Sequence, residues 1–327
     1  METGREVLYL SQEDVKKVNM GMKEYIDILE DAHIKKSRKE VDMPVKYNMW
    51  PNDSTFLCAM PCTIMGTGAA GLKWLAGCAT NQERNLPRFM GFVILNDPES
   101  GAPVAIMDCT YITGMRTAGV SGVALRHLAN PGSRTVGVLG CGLEGRTNLL
   151  AALTVCPDIR QVYAWGPRAS TVDRYVEEME AEYRISIKRA QCPEEAVREA
   201  DVLLCSAPIT HTDEFKVIEK DWLKPGVTAV PVNLESHFKP EAVLAFDKLF
   251  IDDTDLYHGA VKKGHFKELT RIPPELGELL DHKVPGRERP EEKIITFTEG
   301  IGLNDVAVAY RIWQLALEKG IGTLLPL

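Results

Sequence analysis

The sequence has no apolar run long enough to cross a lipid bilayer. A membrane-spanning helix needs about 20 consecutive, mainly apolar residues, and no stretch of the 327-residue chain approaches that length. The N-terminal stretch METGREVLYL is charged and lacks the basic-then-apolar order of a signal peptide. We therefore expect a cytoplasmic protein without a membrane partner.

The chain also has fewer positively charged residues than negatively charged ones. The chain carries 38 lysines and arginines against 46 aspartates and glutamates, which gives a formal net charge of −8. Proteins that bind nucleic acid present a basic face to the phosphate backbone. The acidic balance therefore predicts no nucleic-acid partner.

Closely paired cysteines are missing as well. None of the eight cysteines forms a C-x-x-C pair, and most lie in apolar stretches such as DVLLCSAP. Cys58 and Cys62, with Cys78 downstream, make a thiolate metal site conceivable, but zinc sites usually show close pairs of ligands. Free buried thiols are the commoner outcome in a reducing compartment, so we predict no metal site.

What the sequence does contain is a change of pattern near residue 130. Before it, one helix begins after Ser11, a second amphipathic helix covers residues 23–39, and short strands follow over residues 43–108. Residues 89–108 predict a β-hairpin with its turn at residues 96–101. Residues 113–129 predict a helix rich in small residues, which ends at the stretch NPGS.

After this break, apolar strands alternate with helices from TVGVLG to KLFIDD. Such alternation is typical of the α/β class, here a doubly wound parallel sheet of the Rossmann type. The last long helix, NDVAVAYRIWQLALEK, is amphipathic and is expected to pack on the N-terminal half. We predict an α+β domain of residues 1–130, completed by residues 304–327, and a Rossmann domain of residues 131–303.

The stretch GCGLEG joins the first strand of the alternating series to the helix that follows. Its glycines have the G-x-G-x-x-G spacing that lets a backbone turn sharply and approach a pyrophosphate at a helix N-terminus. Glycine turns that bind nothing also occur there, but the position after the first strand favours a dinucleotide site. The cofactor-binding residues predicted in this stretch are Gly140, Gly142, Leu143, Glu144 and Gly145.

The end of the second strand of the series indicates which dinucleotide binds. NAD-binding folds usually place an acid there, which hydrogen-bonds the ribose 2′-hydroxyl, whereas this chain has Gly166 and Pro167. Arg168 follows, and a guanidinium can hold a phosphate bidentately. With Ser170 and Thr171 nearby, we predict that NADP(H) is preferred and NAD(H) is the second choice. The alternative is that Arg168 only faces solvent.

Three charged residues stand out as candidates for substrate binding or catalysis. Lys73 and Arg116 lie among small apolar residues, where a lone charge is costly unless it is paired. Two cations from separate segments suit the carboxylate of a small acid, and an internal salt bridge is the alternative. Glu235 would carry a proton to or from a substrate nitrogen, unless it is a solvated loop residue.

Other candidates carry weaker signals. Four apolar side chains could line the substrate side but are interpreted mainly as core residues: Met49, Trp50, Met60 and Trp74. His258 and His265 flank the stretch GAVKKG and are interpreted as loop residues rather than as ligands or catalysts.

Several stretches, taken in order, resemble the ornithine cyclodeaminase/mu-crystallin family over nearly the whole chain. They are Met60-Pro61, GLKWLAG, NLPRFMGFVILNDPESGAPVAIMD, TGMRTAGVSGVALRHLA, GCGLEG and GIGLNDVAVAYRIWQLALEKGIG. The resemblance implies a NAD(P)-dependent protein with an N-terminal substrate-binding and dimerisation domain and a Rossmann domain. It also implies a homodimer and a small amino- or imino-acid substrate.

At single positions, the resemblance implies that Lys73 and Arg116 hold the substrate carboxylate, and it adds Met60 to the substrate site. Arg116 and Thr117 are also expected at the cofactor. The family's arginine in a P-x-R stretch is replaced by Lys46, which keeps the charge but loses the planar fork. Glu235 lies near the family's catalytic aspartate, and Lys73 is the second catalytic candidate.

The glutamate at this position departs from the cyclodeaminase pattern and favours a simpler reaction. We predict a NADP(H)-dependent oxidoreductase that reduces the C=N bond of a cyclic α-imino acid, or catalyses the reverse reaction. An ornithine or lysine cyclodeaminase and an alanine-type amino-acid dehydrogenase are the alternatives. A non-catalytic, NADPH-dependent ligand-binding protein, like the family's lens member, is a further alternative.

Overall fold

The computed structural model describes residues 2–206 and 215–327, without the side chain of Gln82. The chain forms two compact units. The first comprises Met1–Arg116 and Gly300–Leu327, and the second comprises Thr117–Glu299. The domain boundaries predicted after residues 130 and 303 stay predictions.

The described helices and strands follow the chain in a simple order. They are β1 (Glu6–Leu10), α1 (Gln12–Lys17), α2 (Met22–Ser37), β2 (Val41–Asp42), β3 (Tyr47–Asn52), β4 (Thr55–Ile64), β5 (Ala69–Cys78), β6 (Phe89–Asn96), β7 (Pro103–Asp108), α3 (Thr110–Leu128), β8 (Thr135–Leu139), α4 (Leu143–Val155), β9 (Gln161–Trp165), α5 (Ala169–Tyr183), β10 (Ser186–Arg189), α6 (Pro193–Arg198), β11 (Val202–Cys205), β12 (Thr228–Pro231), α7 (Pro240–Val243), β13 (Lys248–Ile251), α8 (Thr254–Lys262), α9 (Leu276–Leu280), β14 (Ile294–Phe297), α10 (Gly302–Lys319) and β15 (Thr323–Pro326).

Local sequence signals explain the N-terminal elements. Ser11 caps α1, as predicted: its hydroxyl accepts a hydrogen bond from the Asp14 N–H, and the Asp14 carboxylate accepts one from the Ser11 N–H. The predicted α2, α3 and β6–β7 hairpin are confirmed. The predicted short strands are partly wrong, because β4 and β5 each run for 10 residues.

The first unit is built on a mixed sheet in the order β15-β1-β7-β6-β5-β4-β2, with β3 also paired to β4. Its neighbouring strands are antiparallel except β1 and β7. Along most of β4 and β5, buried side chains alternate with half-buried ones, so one face of the sheet is buried. The amphipathic α10 packs against these two strands and against α2. The buried face and α10 therefore form the core of this unit.

The opposite face of this sheet is largely apolar and open in the single chain. Tyr47 on β3 and Phe92 on β6 share this face in the strand register and are 67% and 43% exposed. Trp50, which is 64% exposed, instead lies 5.5 Å from the Phe56 ring, beyond a register shift in β3. The interpretation of Met49 and Trp50 as core residues is wrong, since both are exposed. The reason is that they lie on an outer strand that pairs with β4 on only one side.

The second unit has a parallel sheet, whose described strands follow the order β10-β9-β8-β11-β12-β14-β13. All of its pairings are parallel. The first strand in sequence, β8, lies inside the sheet between β9 and β11, and the strand order reverses beside it, as in a doubly wound dinucleotide-binding sheet. The predicted fold class is confirmed.

Across the described ranges, no helix combines the length and the apolar composition that crossing a bilayer demands.

Candidate active site

The Gly-rich stretch forms the turn between β8 and α4. Gly140 has a φ of +106°, in the left-handed region that side chains rarely adopt. A Cβ on Gly145 would lie 2.0 Å from the Gly140 carbonyl oxygen, to which the Ser206 hydroxyl donates at 3.0 Å. The turn itself therefore requires glycine at both positions.

Gly142 has no such internal reason to be glycine. It precedes α4 in an extended conformation, with φ −83° and ψ −161°, and a Cβ on it would meet no described atom within 4 Å. Leu143 and Glu144 form the first turn of α4, where backbone N–H groups lack helical partners. The turn therefore leaves open space at Gly142, next to the start of α4, and helix N-termini are a common place for anions to bind.

The residues predicted to select the dinucleotide lie beside this turn. The carbonyl of Trp165, at the end of β9, accepts a hydrogen bond from the Gly140 N–H at 3.0 Å. Arg168 follows as the exposed N-cap residue of α5. Ser170 is exposed and Thr171 is half-buried in the first turn of that helix. The strand end that contacts the Gly-rich turn is therefore followed closely in sequence by an exposed basic side chain.

Lys73 and Arg116 meet at a carboxylate that the sequence analysis did not single out. Lys73 Nζ, on β5, donates to Asp305 Oδ1 at 2.8 Å, and Arg116 Nε, on α3, donates to the same oxygen at 3.0 Å. The side chains of Lys73 and Asp305 are fully buried, and that of Arg116 is 8% exposed. The internal salt bridge exists, but one carboxylate balances only one of the two cations.

The strands and helices of the first unit explain this meeting point. Lys73 lies opposite Met60 in the β4–β5 register, and both side chains are buried. Asp305 lies in the first turn of α10, which packs against β4 and β5. Asp305, near the C-terminal end of the chain, therefore pairs with Lys73, which lies 232 residues earlier in the sequence.

The protonation state of this cluster follows from its burial. Burial lowers the pKa of Lys73, the charge of Arg116 lowers it further, and Asp305 opposes both effects. Burial raises the pKa of the neighbouring Cys109 thiol to about 11 and that of the Cys62 thiol to about 12. The thiols stay neutral near pH 7, so Lys73, Arg116 and Asp305 set the charge of the cluster.

Lys46 lies at the edge of this cluster. Its Nζ donates to the Gly300 carbonyl oxygen at 3.4 Å. Gly300 has a φ of +88°, and a Cβ on it would lie 2.3 Å from Arg116 Nη1, so the guanidinium packs directly on the Gly300 backbone. Thr117, which is buried, follows Arg116 on α3. The structure thus gathers Lys46, Met60, Lys73 and Arg116 in one part of the first unit.

Glu235 is buried, with 4% of its surface exposed, so the alternative of a solvated loop residue is wrong. It follows Leu234, whose φ of +57° places the chain in the left-handed region. Glu235 Oε1 accepts hydrogen bonds from His265 Nδ1 at 2.9 Å and from the Phe266 N–H at 3.2 Å. Among the described residues, Oε2 has no hydrogen-bond partner although it is buried.

These contacts keep the Glu235 carboxyl ionised. Burial alone would raise its pKa, but the hydrogen bond and the charge of His265, together with backbone hydrogen bonds, outweigh burial and lower the pKa. The interpretation of His265 as a mere loop residue missed this contact, and His258 lies in α8 rather than in a loop. No sequence signal links His265 to Glu235, because 30 residues separate them.

The cysteines are all free, and the three that made a metal site conceivable are spread along two strands. Cys58 and Cys62 are buried on β4, and Cys78 is half-buried at the end of β5. Within residues 2–206 and 215–327, no three His, Cys, Asp or Glu side chains are grouped so that they could hold a metal ion.

Known proteins resemble the chain over its full length. The model of the ornithine cyclodeaminase/mu-crystallin family matches residues 5–320. An N-((2S)-2-amino-2-carboxyethyl)-L-glutamate dehydrogenase from Staphylococcus aureus is 31% identical over 99% of this chain and 99% of its own.

Two solved structures share the fold. A Δ(1)-pyrroline-2-carboxylate reductase from Thermococcus litoralis, in complex with NADH and L-proline, is 27% identical with a TM-score of 0.88 over 97% of this chain and 99% of its own. An archaeal alanine dehydrogenase, a dimer with bound NAD, is 31% identical with a TM-score of 0.86. The match covers 98% of this chain and 99% of that protein's chain.

These matches cover both units, the Gly-rich turn and the segments that carry Lys73, Arg116 and Asp305. The chain therefore belongs to the ornithine cyclodeaminase/mu-crystallin family and is a NAD(P)-dependent enzyme of that family, a dehydrogenase or reductase or a cyclodeaminase.

Proposed function

We propose that the protein reduces the C=N bond of a cyclic α-imino acid with NADP(H), or catalyses the reverse reaction. The observation that carries this proposal is the buried cluster in which Lys73 and Arg116 share one carboxylate. Its charge is one positive unit in excess, and an excess charge away from water favours an anionic ligand. A substrate carboxylate supplies that anion.

Within this proposal, Lys73 and Arg116 bind the substrate carboxylate, and Met60 and Lys46 border the same site. Arg116 keeps Nη1 and Nη2 for a second partner, because its bond to Asp305 uses Nε. A guanidinium holds a carboxylate best through two parallel hydrogen bonds. Lys46 adds a charge without that planar geometry.

Glu235 acts on the substrate nitrogen in this proposal. An ionised carboxylate stabilises a protonated imine, and hydride addition to a protonated imine builds no negative charge on nitrogen. In the oxidative direction, the same carboxylate accepts a proton from the amine. Lys73, whose pKa burial lowers, is the second candidate for proton exchange with the substrate.

The bound nicotinamide supplies or accepts the hydride. Gly140, Gly142 and Gly145, with Leu143 and Glu144 at the start of α4, would hold its pyrophosphate. Arg168, with Ser170 and Thr171, would hold the 2′-phosphate of NADP. Both solved relatives described above contain NAD or NADH, so the preference for NADP(H) over NAD(H) rests on Arg168 and on the missing acid at the end of β9.

We also propose a homodimer, as the archaeal alanine dehydrogenase is. The open face of the first unit's sheet exposes Tyr47 and Phe92, and exposed large apolar side chains on one face are typical of an interface. Light scattering at micromolar concentration tests the proposal, and a monomer contradicts it. The free thiols of all eight cysteines support a reducing compartment, for which we propose the cytoplasm.

A substrate panel tests the proposed reaction. Cyclic imino acids, keto acids with ammonia or amines, and ornithine or lysine are each incubated with NADPH or NADP, and the absorbance of NADPH is followed. We expect the fastest oxidation of NADPH with a cyclic imino acid. Faster turnover of pyruvate with ammonia would instead assign an alanine-type dehydrogenase, which the 31% identical alanine dehydrogenase makes the second candidate.

A further inference from the structure

We propose that Asp305 is a positioning residue for substrate recognition. Through one oxygen it fixes both Lys73 and Arg116, and it leaves the cluster with a single unbalanced positive charge that the substrate carboxylate neutralises. This inference rests on the proposed carboxylate-binding role of Lys73 and Arg116. It adds a residue that neither the sequence analysis nor the proposed reaction assigns.

The geometry of the shared oxygen is the first support. Asp305 Oδ1 lies 2.8 Å from Lys73 Nζ and 3.0 Å from Arg116 Nε. Each bond is charge-assisted, and such bonds are short and directional. Two cations that would otherwise repel each other are therefore held at one point by a fully buried side chain.

The orientation of Arg116 is the second support. A guanidinium can offer either its Nε edge or its Nη1–Nη2 end to a carboxylate. Asp305 occupies Nε, and the guanidinium lies close to the Gly300 backbone, where a Cβ would lie 2.3 Å from Nη1 and 2.9 Å from Nη2. Asp305 therefore selects the edge of Arg116 that is left for a substrate.

The charge balance is the third support. The groups that face Lys73 are Arg116 from α3, Asp305 from α10 and the Cys109 thiol that precedes α3, and Cys62 on β4 lies near Asp305. Lys46 contacts the Gly300 carbonyl that borders Arg116. Asp42 acts on the Cys62 thiol and Asp108 on the Cys109 thiol, but among the described groups that face Lys73 itself Asp305 is the one carboxylate. A bound substrate carboxylate would therefore bring a second anion to Lys73.

A second anion has a measurable consequence. An opposite charge a few ångströms away favours the charged form of a lysine, so carboxylate binding should be accompanied by uptake of a proton wherever Lys73 is partly neutral. Asp305 sets the pH at which this uptake begins, because its charge opposes the effects of burial and of Arg116 on Lys73.

The variant Asp305→Asn tests the role of the charge, because asparagine keeps the size and an acceptor oxygen. We expect KM for the imino acid to rise about 10- to 100-fold, as for loss of a charge-assisted hydrogen bond, with a smaller change in kcat. The alkaline limb of kcat/KM should move to lower pH, because the carboxylate that raises the pKa of Lys73 is lost. The matched control is Glu318→Gln, an exposed carboxylate on the same helix, which should change neither quantity.

A measurement on the unmodified protein keeps the proposal testable if Asp305→Asn fails to fold. The ¹H–¹⁵N signal of Arg116 Nε, assigned by its loss in Arg116→Lys, should exchange slowly with water because Asp305 accepts its hydrogen. Calorimetric titration with L-proline, in buffers of different ionisation enthalpy, should show proton uptake above neutral pH. A rapidly exchanging Nε–H, or binding without proton uptake, would overturn the proposal.

Failure of this inference is distinguishable from failure of the proposed function. If the unmodified protein turns over an imino acid and its carboxamide analogue equally well, then the carboxylate-binding role of Lys73 and Arg116 is wrong. If it prefers the acid, and Asp305→Asn keeps that preference with an unchanged KM and alkaline limb, then only the role of Asp305 is wrong.

Discussion

The Gly-rich turn and the charged cluster are built in opposite ways. The turn lies within a few consecutive residues, Gly140 to Gly145, and its chemistry comes from backbone N–H groups that the lack of side chains exposes. The cluster draws Lys73, Arg116 and Asp305 from three distant segments, and its chemistry comes from side-chain charges away from water.

This difference decides how each region responds to change. A backbone site fails when an added atom occupies the space of the ligand or of the turn. A buried charged site fails when one charge is removed, because the remaining charges lose their partner in a medium that solvates them poorly. We therefore expect the largest effect from removing a buried charge and smaller effects from adding atoms at glycines.

Removing Lys73 should have the largest effect. Lys73→Met leaves Asp305 paired with Arg116 and removes the positive charge that is in excess, and the lost charge-assisted hydrogen bond should cost about 1.5–3 kcal/mol of unfolding free energy. We expect kcat/KM for a carboxylate substrate to fall more than 100-fold while NADPH binding is retained. Urea unfolding and steady-state kinetics measure the two effects. The control is Lys23→Met, at a lysine that is 78% exposed, which should change neither the unfolding free energy nor kcat/KM. If kcat/KM changed as little in Lys73→Met as in this control, the importance of the cluster would be contradicted.

Two substitutions within the Gly-rich turn should separate folding from cofactor binding. Gly145→Ala places a methyl group 2.0 Å from the Gly140 carbonyl oxygen and should cost about 1–3 kcal/mol of stability. Gly142→Ala meets open space, so its stability should change by less than about 0.5 kcal/mol, whereas NADPH affinity falls. Thermal unfolding and fluorescence titration with NADPH test the pair. Equal losses of stability would show that Gly142 serves the turn rather than a ligand.

Arg168 should discriminate between the two cofactors. Arg168→Ala removes a charge-assisted contact with the 2′-phosphate, which is worth about 1.5–3 kcal/mol, so NADPH binding should weaken and NADH binding stay nearly unchanged. Isothermal titration with each cofactor measures the difference. Arg174→Ala, at another exposed arginine of α5, is the control. Equal weakening of both cofactors would contradict the assigned role of Arg168.

Replacing Gly300 by alanine should have the smallest and most selective effect on the cluster. Gly300 and Gly101 both have left-handed φ angles, of +88° and +73°, so alanine at either costs about 1–2 kcal/mol of stability. A Cβ at Gly300 also displaces Arg116, whereas one at Gly101 meets nothing within 4 Å. KM for the carboxylate substrate should therefore rise in Gly300→Ala alone. An unchanged KM there would mean that the position of Arg116 does not matter.

The same contrast explains what the sequence could predict. The Rossmann sheet, the hairpin β6–β7 and the Gly-rich turn follow from patterns between neighbours in sequence, and all three are confirmed. Asp305 was missed because it pairs with residues far away in the chain, although an aspartate inside the apolar stretch NDVAVA is itself a signal for a buried ion pair. The His265–Glu235 contact left no such signal.

The strands that were missed have equally physical reasons. β10 reads SIKR, and three of its four side chains are exposed or polar at the edge of the sheet, so it lacks the apolar run that marks a buried strand. β15 is exposed along its whole length and owes its place to pairing with β1. Met49 and Trp50 are exposed because β3 is an outer strand that pairs only with β4, which composition does not reveal.

The most direct test of the proposed reaction is the fate of the transferred hydrogen. NADPH that carries deuterium at C4 is oxidised with a cyclic imino acid, and the product is analysed by mass spectrometry and NMR. We predict one deuterium at the α-carbon of the product amino acid for each NADPH consumed. Conversion of ornithine or lysine to a cyclic amino acid and ammonia, without net consumption of NADPH, would contradict the proposal.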